Sequence, residues 1–226
     1  MKKLIKGILE LLYFKPLRAI QRKNREKRNK ELRKKLINKN PTLIGDNCNV
    51  GVMYHDLGLL FTSPTINLYI FPDDYIKFLT RLKYYTTHDI VEIFEEGVDY
   101  PIGLIDDIKV YFMHYHSFEE AKEKWIERCR RMDLDNLFIT MTKRSFRCTE
   151  EHIKAFDKLP YKNKVIFLNT PHPEIKSSFY IKGFEKKDGC GVLLDYEHPT
   201  YKAKRYFDRM DYVEFLNTGV IKENEK

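Results

Sequence analysis

Short apolar runs alternate with amphipathic stretches along the chain from residue 41 onward. Compact apolar runs predict buried strands, whereas apolar residues spaced three or four positions apart predict helices that pack on those strands. The predicted strands are 66–71, 91–94, 101–105, 108–115, 137–141, 164–168 and 191–196, and the predicted helices are 72–85, 117–131, 149–159 and 203–216.

The order of these elements predicts the fold class. Strand 137–141, helix 149–159 and strand 164–168 form one strand–helix–strand unit, which is typical of parallel strands joined by a helical crossover. Ser117 and Glu120 have the spacing of a capping box, which marks the start of a helix. We therefore predict an α/β fold: a three-layer domain with a partly parallel sheet and helices on both faces, preceded by a basic N-terminal helical arm.

The positive charge of the chain is confined to its N-terminal part. The 226-residue chain has a formal net charge of +8, and residues 1–40 hold 15 Lys and Arg against three Glu. The other residues hold 26 Lys and Arg against 30 Asp and Glu. We predict a basic amphipathic helical arm over 1–40 and an α/β domain over 41–226. Because the domain lacks a basic excess, we expect no nucleic acid partner.

The first part of the arm has the pattern of an interfacial helix. Apolar residues between positions 4 and 14 recur at helical spacing among Lys2, Lys3, Lys6 and Lys15. The segment is too short and too charged to cross a bilayer, which takes about 20 apolar residues. Its apolar face either packs on the protein's own core or lies on an anionic membrane surface, and the sequence leaves both alternatives open.

Several classes of site are excluded by missing motifs. The chain contains no G-x-G-x-x-G, G-x-x-x-x-G-K-[ST], G-x-S-x-G or H-E-x-x-H motif. Asp133 and Asp135 precede a strand, which indicates a turn more than a metal site, and we predict no metal ligands. The four cysteines lack metal-ligand spacing, and no signal peptide precedes them. We therefore expect a cytoplasmic protein, and peripheral attachment to the inner face of the cell membrane is one alternative within that expectation. No particular cofactor is indicated.

The segment 54–70 is unusual because polar residues interrupt an apolar run. Such residues form either a hydrogen-bonded turn or the wall of a site, since an unpaired buried polar group costs about 1–3 kcal/mol. In the functional alternative, His55 serves as a base and Asp56 orients it, so both are candidate catalytic residues. The candidate substrate-binding residues are Asn47, Ser63, Asn67 and Arg128, with Arg128 as a phosphate contact. Two histidines at the end of a predicted strand, His114 and His116, are interpreted as a polar strand cap.

A family resemblance rests on motifs that run in order through most of residues 40–170. These are Asn47-Cys48, the segments 54–59, 61–68 and 74–79, Gly103 to Ile108, His114-Tyr115, Ser117 to Ala121, Lys124-Trp125, Asp135 to Ile139 and Leu159 to Val165. In these motifs the chain resembles a bacterial family of unknown function that is often labelled exopolysaccharide or capsule biosynthesis protein. The resemblance implies work on surface polysaccharide at the cytoplasmic membrane.

Two functional hypotheses follow. The first is a peripheral transferase that acts on a sugar nucleotide or a lipid-linked glycan in capsule or exopolysaccharide assembly. The second is a noncatalytic adaptor that binds glycan or a partner enzyme at the membrane, so the sequence does not decide whether the protein is an enzyme. An enzyme should bring His55, Asp56 and Asn67 together in one concave pocket, whereas scattered or buried side chains favour the adaptor.

Overall fold

A computed structural model describes residues 15–198 and 202–224, so the predicted interfacial segment 4–14 lies outside the described residues. The helices are α1 (Lys15–Lys35), α2 (Asn49–Leu57), α3 (Pro72–Thr80), α4 (Leu82–Thr87), α5 (Phe118–Cys129), α6 (Glu150–Lys158) and α7 (Tyr212–Thr218), with a 3-10 helix at Tyr206–Arg209. The strands are β1 (Thr42–Gly45), β2 (Val91–Ile93), β3 (Ile102–Ile105), β4 (Ile108–Tyr111), β5 (Leu137–Thr142), β6 (Lys164–Leu168) and β7 (Ser178–Tyr180).

A four-stranded parallel sheet forms the centre of the fold. Its strand order is β1-β5-β6-β7, and every neighbouring pair is parallel. Strands β5 and β6 pair directly, with Ile139 opposite Lys164, and helix α6 joins them. The prediction of an α/β fold with a partly parallel sheet is therefore confirmed.

Both faces of this sheet are covered, because successive side chains of a strand point to opposite faces. Leu43, Phe138 and Phe167 pack with helices α1, α2 and α7 in one apolar cluster. Ile44 and Ile139 pack with helices α3 to α6 in a second cluster on the other face. The central strands are almost continuously apolar, as expected for a sheet that is buried on both sides.

A second sheet packs into the cluster formed by helices α3 to α6. Strands β2, β3 and β4 form this sheet, and both pairs are antiparallel. The turn between β3 and β4 is tight, and Asp106 within it has a left-handed φ of 54°. Helix α5 begins at the predicted cap, where the Ser117 hydroxyl accepts a hydrogen bond from the Glu120 backbone N–H at 3.2 Å.

Helix α1 packs against the domain. Leu32 near the end of the helix and Leu36 just beyond it are buried in the cluster with α2 and α7. Asn29, Arg25 and Gln21 are buried about one, two and three turns before Leu32. Along the described ranges, no helix is both long and apolar enough to cross a membrane. The domain boundary at residue 40 stays a prediction. The buried residues of α1 show that the described part of the arm packs on the domain.

Several predicted elements were wrong in detail. Residues 66–71 and 191–196 form irregular segments instead of strands, and only isolated bridges at Tyr69 and Tyr196 remain. The predicted helix 72–85 is two helices, since Arg81 leaves the helical region with φ −131° and ψ 43°. The predicted helix 203–216 is a short 3-10 helix followed by α7. Strands β1 and β7 and helix α2 were missed because each is short and its pattern of apolar residues does not distinguish helix from strand.

Candidate functional site

A pocket of about 220 Å³ opens at the carboxyl ends of β1 and β5, and we call it the edge pocket. In open sheets with parallel strands, ligands bind outside the carboxyl ends of the strands. The loops after β1, β4 and β5 and one C-terminal segment line it, with the residues Asn47, Cys48, Asn49, Met113, His114, Arg144, Gly191, Val192, Leu193 and Leu194.

The carboxyl group of Asp46 lies at the end of β1, next to this lining. Its side chain is buried, and it accepts hydrogen bonds from the Asn47 side-chain amide at 2.9 Å and from the Thr142 backbone N–H at 3.3 Å. Burial disfavours the charged carboxylate and raises the pKa of Asp46 to about 7, against the opposing effect of these hydrogen bonds and of the Arg144 charge. Asp46 therefore exchanges its proton near neutral pH.

Two asparagines hold the wall of the pocket in place. The Asn47 side-chain oxygen accepts a hydrogen bond from the Asn49 backbone N–H at 2.9 Å, so both ends of the Asn47 amide are engaged. The Asn49 side chain donates to the Thr142 hydroxyl at 3.3 Å and links the start of α2 to the end of β5. Cys48 lies between them, and burial raises the pKa of its thiol, so it is a poor nucleophile.

The loop after β5 contributes positive charge to the pocket. Arg144 lines the pocket and lies over the Tyr69 ring, with its guanidinium carbon 5.9 Å from the ring centroid. Arg147 lies over the Phe71 ring at 4.4 Å. Among the described residues, neither arginine has a carboxylate oxygen within 4.0 Å. Because the described residues place no carboxylate beside them, both cations are available to a bound anion.

The loop that carries residues 191–194 is held against the loop after β5. The Cys190 backbone N–H donates to the Lys143 carbonyl at 2.7 Å. A Cβ atom at Gly189 would overlap with the carbonyl groups of Lys143 and Arg144, so glycine permits this close approach. The two sides of the pocket are therefore joined by backbone contacts.

A second polar group lies at the end of β6. His172 accepts or donates a hydrogen bond with the Thr170 hydroxyl at 3.2 Å through Nε2 and with Glu174 at 3.0 Å through Nδ1. Lys143 Nζ lies 3.5 Å from a carboxylate oxygen of Glu150, whose other oxygen lies 3.8 Å from His172 Nδ1. These groups pair with one another and do not line the edge pocket.

The two residues predicted as catalytic lie on α2, outside the edge pocket. The His55 side chain is 79% exposed, with Nδ1 3.7 Å from Asp56 Oδ1. Asp56 is buried, and its carboxylate accepts from Arg25 at 2.5 Å, from Asn29 at 2.8 Å and from Arg205 at 3.0 Å. This carboxylate anchors helix α1, and its catalytic assignment stays a prediction that the geometry does not favour.

The predicted substrate-binding residues do not converge on one site. Asn47 lines the edge pocket, whereas Asn67 is exposed with a left-handed φ of 61°. Ser63 is fully buried and shares a hydrogen bond of 3.0 Å with the Thr65 hydroxyl. Arg128 is buried beside Phe61 and donates to the Tyr115 hydroxyl at 2.5 Å. Of these four residues, only Asn47 lines the edge pocket.

Sequence reasoning missed Asp46, Arg144 and the pocket role of His114. A signal existed for Arg144, because it follows the correctly predicted strand at 137–141 and parallel strands carry sites at their carboxyl ends. No comparable signal existed for Asp46, since β1 has only four residues and was not predicted. Over the described parts of the chain, no three His, Cys, Asp or Glu residues are grouped to hold a metal ion.

The fold and the pocket define an α/β protein with a pocket at the carboxyl edge of a parallel sheet, lined by apolar residues and by the polar side chains Asn47, His114 and Arg144. The chain belongs to the bacterial family described as Domain of unknown function (DUF1919), which matches residues 19–217. An uncharacterized protein of Haemophilus influenzae (strain ATCC 51907 / DSM 11121 / KW20 / Rd) is 43% identical over 199 residues, which cover 88% of this chain and 95% of that protein. The resemblance to a bacterial family of unknown function is confirmed.

Proposed function

We propose that the protein is a peripheral membrane-associated transferase of capsule or exopolysaccharide biosynthesis that acts on a sugar nucleotide or a lipid-linked glycan in the edge pocket. The observation that carries the proposal is the meeting of a histidine, an arginine and a fixed amide in this pocket, namely His114, Arg144 and Asn47. Side chains of these types can supply a base, a phosphate contact and a hydroxyl contact for transfer from a phosphorylated donor.

Each of the three side chains has a distinct role in the proposed transfer. His114 takes the proton from an acceptor hydroxyl, whose oxygen then forms the bond to the transferred group. The bond between this group and the leaving phosphate breaks, and Arg144 stabilises the negative charge that the phosphate gains. Asn47 positions a hydroxyl of the substrate, and Asp46 acts through Asn47 by holding its amide in place.

Membrane attachment through the basic arm is part of the proposal. Support comes from the charge of residues 1–40 and from the exposed lysines along α1, such as Lys23, Lys27 and Lys30. Helix α1 buries its Gln21, Arg25, Asn29 and Leu32 positions against the domain, so its opposite face presents these lysines to an anionic surface.

The noncatalytic adaptor is the second candidate, and one observation favours it. His55, Asp56 and Asn67 do not line a common pocket, and the Asp56 carboxylate is occupied by three side-chain donors. An adaptor would keep its function after removal of the edge-pocket side chains, because its partner surface would lie elsewhere.

Two histidine variants test the transferase. His114→Ala should stay folded, since the side chain is exposed, and should abolish polysaccharide production in a complementation assay. His55→Ala is the matched control, because His55 is also exposed but lies outside the pocket, and it should support normal production. Normal production with a stable His114→Ala variant would contradict the proposal and favour the adaptor.

A further inference from the structure

We propose that Arg144 and Arg147 together bind a diphosphate group, so the substrate of the edge pocket is a diphosphate ester. The inference rests on the proposed function, since it names the substrate class of the same pocket. Arg144 lines the pocket and Arg147 follows it on the same loop, and their guanidinium carbons lie 5.9 Å and 4.4 Å from the centroids of the Tyr69 and Phe71 rings.

The aromatic rings beside the two arginines contact each other, which brings both cations to the same region of the surface. The rings of Tyr69 and Phe71 pack edge to face with centroids 4.9 Å apart, and Phe71 also packs against Tyr111 at 5.0 Å. A guanidinium that stacks through its flat face keeps its N–H groups at its edge, where they can bind phosphate oxygens in pairs. Two adjacent cations of this kind match the two phosphates of a diphosphate.

Among the described residues, no nearby carboxylate forms an ion pair with Arg144 or Arg147. Glu150, at the start of α6, lies 3.5 Å from Lys143 Nζ and faces His172. Asp46 is buried and is bonded to Asn47 and to the Thr142 backbone. Within the described ranges, no carboxylate lies within ion-pair distance of either arginine. An incoming anion therefore displaces no internal partner.

The loop that carries the arginines is held at its base. The Lys143 backbone N–H donates to the Phe167 carbonyl at 3.0 Å, and the Cys148 N–H donates to the Ser145 carbonyl at 3.1 Å. A preorganised pair of cations loses less conformational freedom on binding than two mobile side chains. Between the two arginines, the Phe146 side chain is 72% exposed. A lipid chain attached to the diphosphate would pack against this ring, and the base of a nucleotide would stack on it.

Calorimetric titration of the full-length protein tests the diphosphate site. The probes are inorganic pyrophosphate, a uridine diphosphate sugar and farnesyl diphosphate, with inorganic phosphate and uridine monophosphate as single-phosphate controls. We expect the diphosphates to bind at least about tenfold more tightly than the controls. Arg144→Gln and Arg147→Gln should each weaken diphosphate binding about 10- to 100-fold.

Arg81→Gln is the matched control variant. Arg81 is an exposed arginine stacked on Tyr84 at 3.7 Å, next to Leu137 and Tyr161 at the opposite edge of the sheet. The Arg81→Gln variant should leave diphosphate affinity unchanged. Phe146→Ser separates the two sources of the diphosphate. Relative to pyrophosphate, it should weaken farnesyl diphosphate if the substrate is lipid-linked, and it should weaken the uridine diphosphate sugar if the substrate is a nucleotide.

Three results would overturn the inference: no diphosphate binding by the wild type, equal affinity for single-phosphate probes, or full affinity in both arginine variants. Failure of the proposed function gives a different pattern. In that case diphosphates would still bind through the arginines, but the His114→Ala variant would support normal polysaccharide production.

Discussion

Replacement of Asp56 by alanine should destabilise the protein strongly, although the residue was predicted from sequence to be catalytic. Its buried carboxylate accepts side-chain hydrogen bonds from Arg25, Asn29 and Arg205, which lie far apart in the chain. Arg25 also pairs with the fully buried Asp208, so this one cation bridges two acids between α1, α2 and the 3-10 helix.

The expected loss follows from what remains buried in the Asp56→Ala variant. Removal of one partner of a buried ion pair costs about 3–5 kcal/mol, because the other charge is left without compensation. Arg25 keeps its bond to Asp208, and the Arg205 side chain is 19% exposed and can reach water. Because Arg25 is not left without compensation, we expect a loss below that range, about 1–3 kcal/mol, which is the cost of leaving buried donors unpaired. Such a loss is a large part of the 5–15 kcal/mol by which domains are typically stable.

Urea unfolding followed by Trp125 fluorescence measures this loss, because Trp125 is 1% exposed in the folded protein and becomes solvated on unfolding. His55→Ala, one residue away on the same helix, is the control and should change the free energy of unfolding by less than about 0.5 kcal/mol. A loss below about 1 kcal/mol for Asp56→Ala would refute the structural role. Loss of function in such a stable variant would instead support the predicted catalytic role.

Three further predictions concern the pocket and the arm. Burial raises the Asp46 pKa to about 7, so the protonated Asp46 stabilises the fold fully below the unfolded pKa near 4, and this stabilisation is lost as the pH rises through 7. Asp46→Asn should remove this loss of stability between pH 5 and pH 8, as measured by urea unfolding at both values. An unchanged pH dependence would contradict the buried titration. Gly189→Ala should destabilise by about 1–3 kcal/mol, because its Cβ would overlap with the Lys143 carbonyl, and an unaltered melting temperature would exclude this overlap. Deletion of residues 1–14 should reduce binding to vesicles rich in anionic lipid at low salt while leaving the melting temperature similar, and undiminished binding would count against membrane attachment through this segment.

The parts of the fold that local patterns specify were predictable. Strand β6 has the predicted bounds, and β5 extends one residue beyond its predicted end, because compact apolar runs between turn residues are signals within a single segment. The start of α5 was predictable for the same reason, since the Ser117 cap and Glu120 are three residues apart. The basic excess of residues 1–40 also follows from the sequence alone.

Only the tertiary structure decided which polar residues share a site. His114, Arg144 and Asn47 follow three different strands, and their meeting depends on strand order and on the packing of the second sheet against the first. The neighbours His55 and Asp56 were grouped by sequence, yet one side chain is exposed and the other is buried against Arg25. Successive residues of a helix point about 100° apart, so adjacency along α2 separates these side chains, while folding brings distant charges to the same carboxylate.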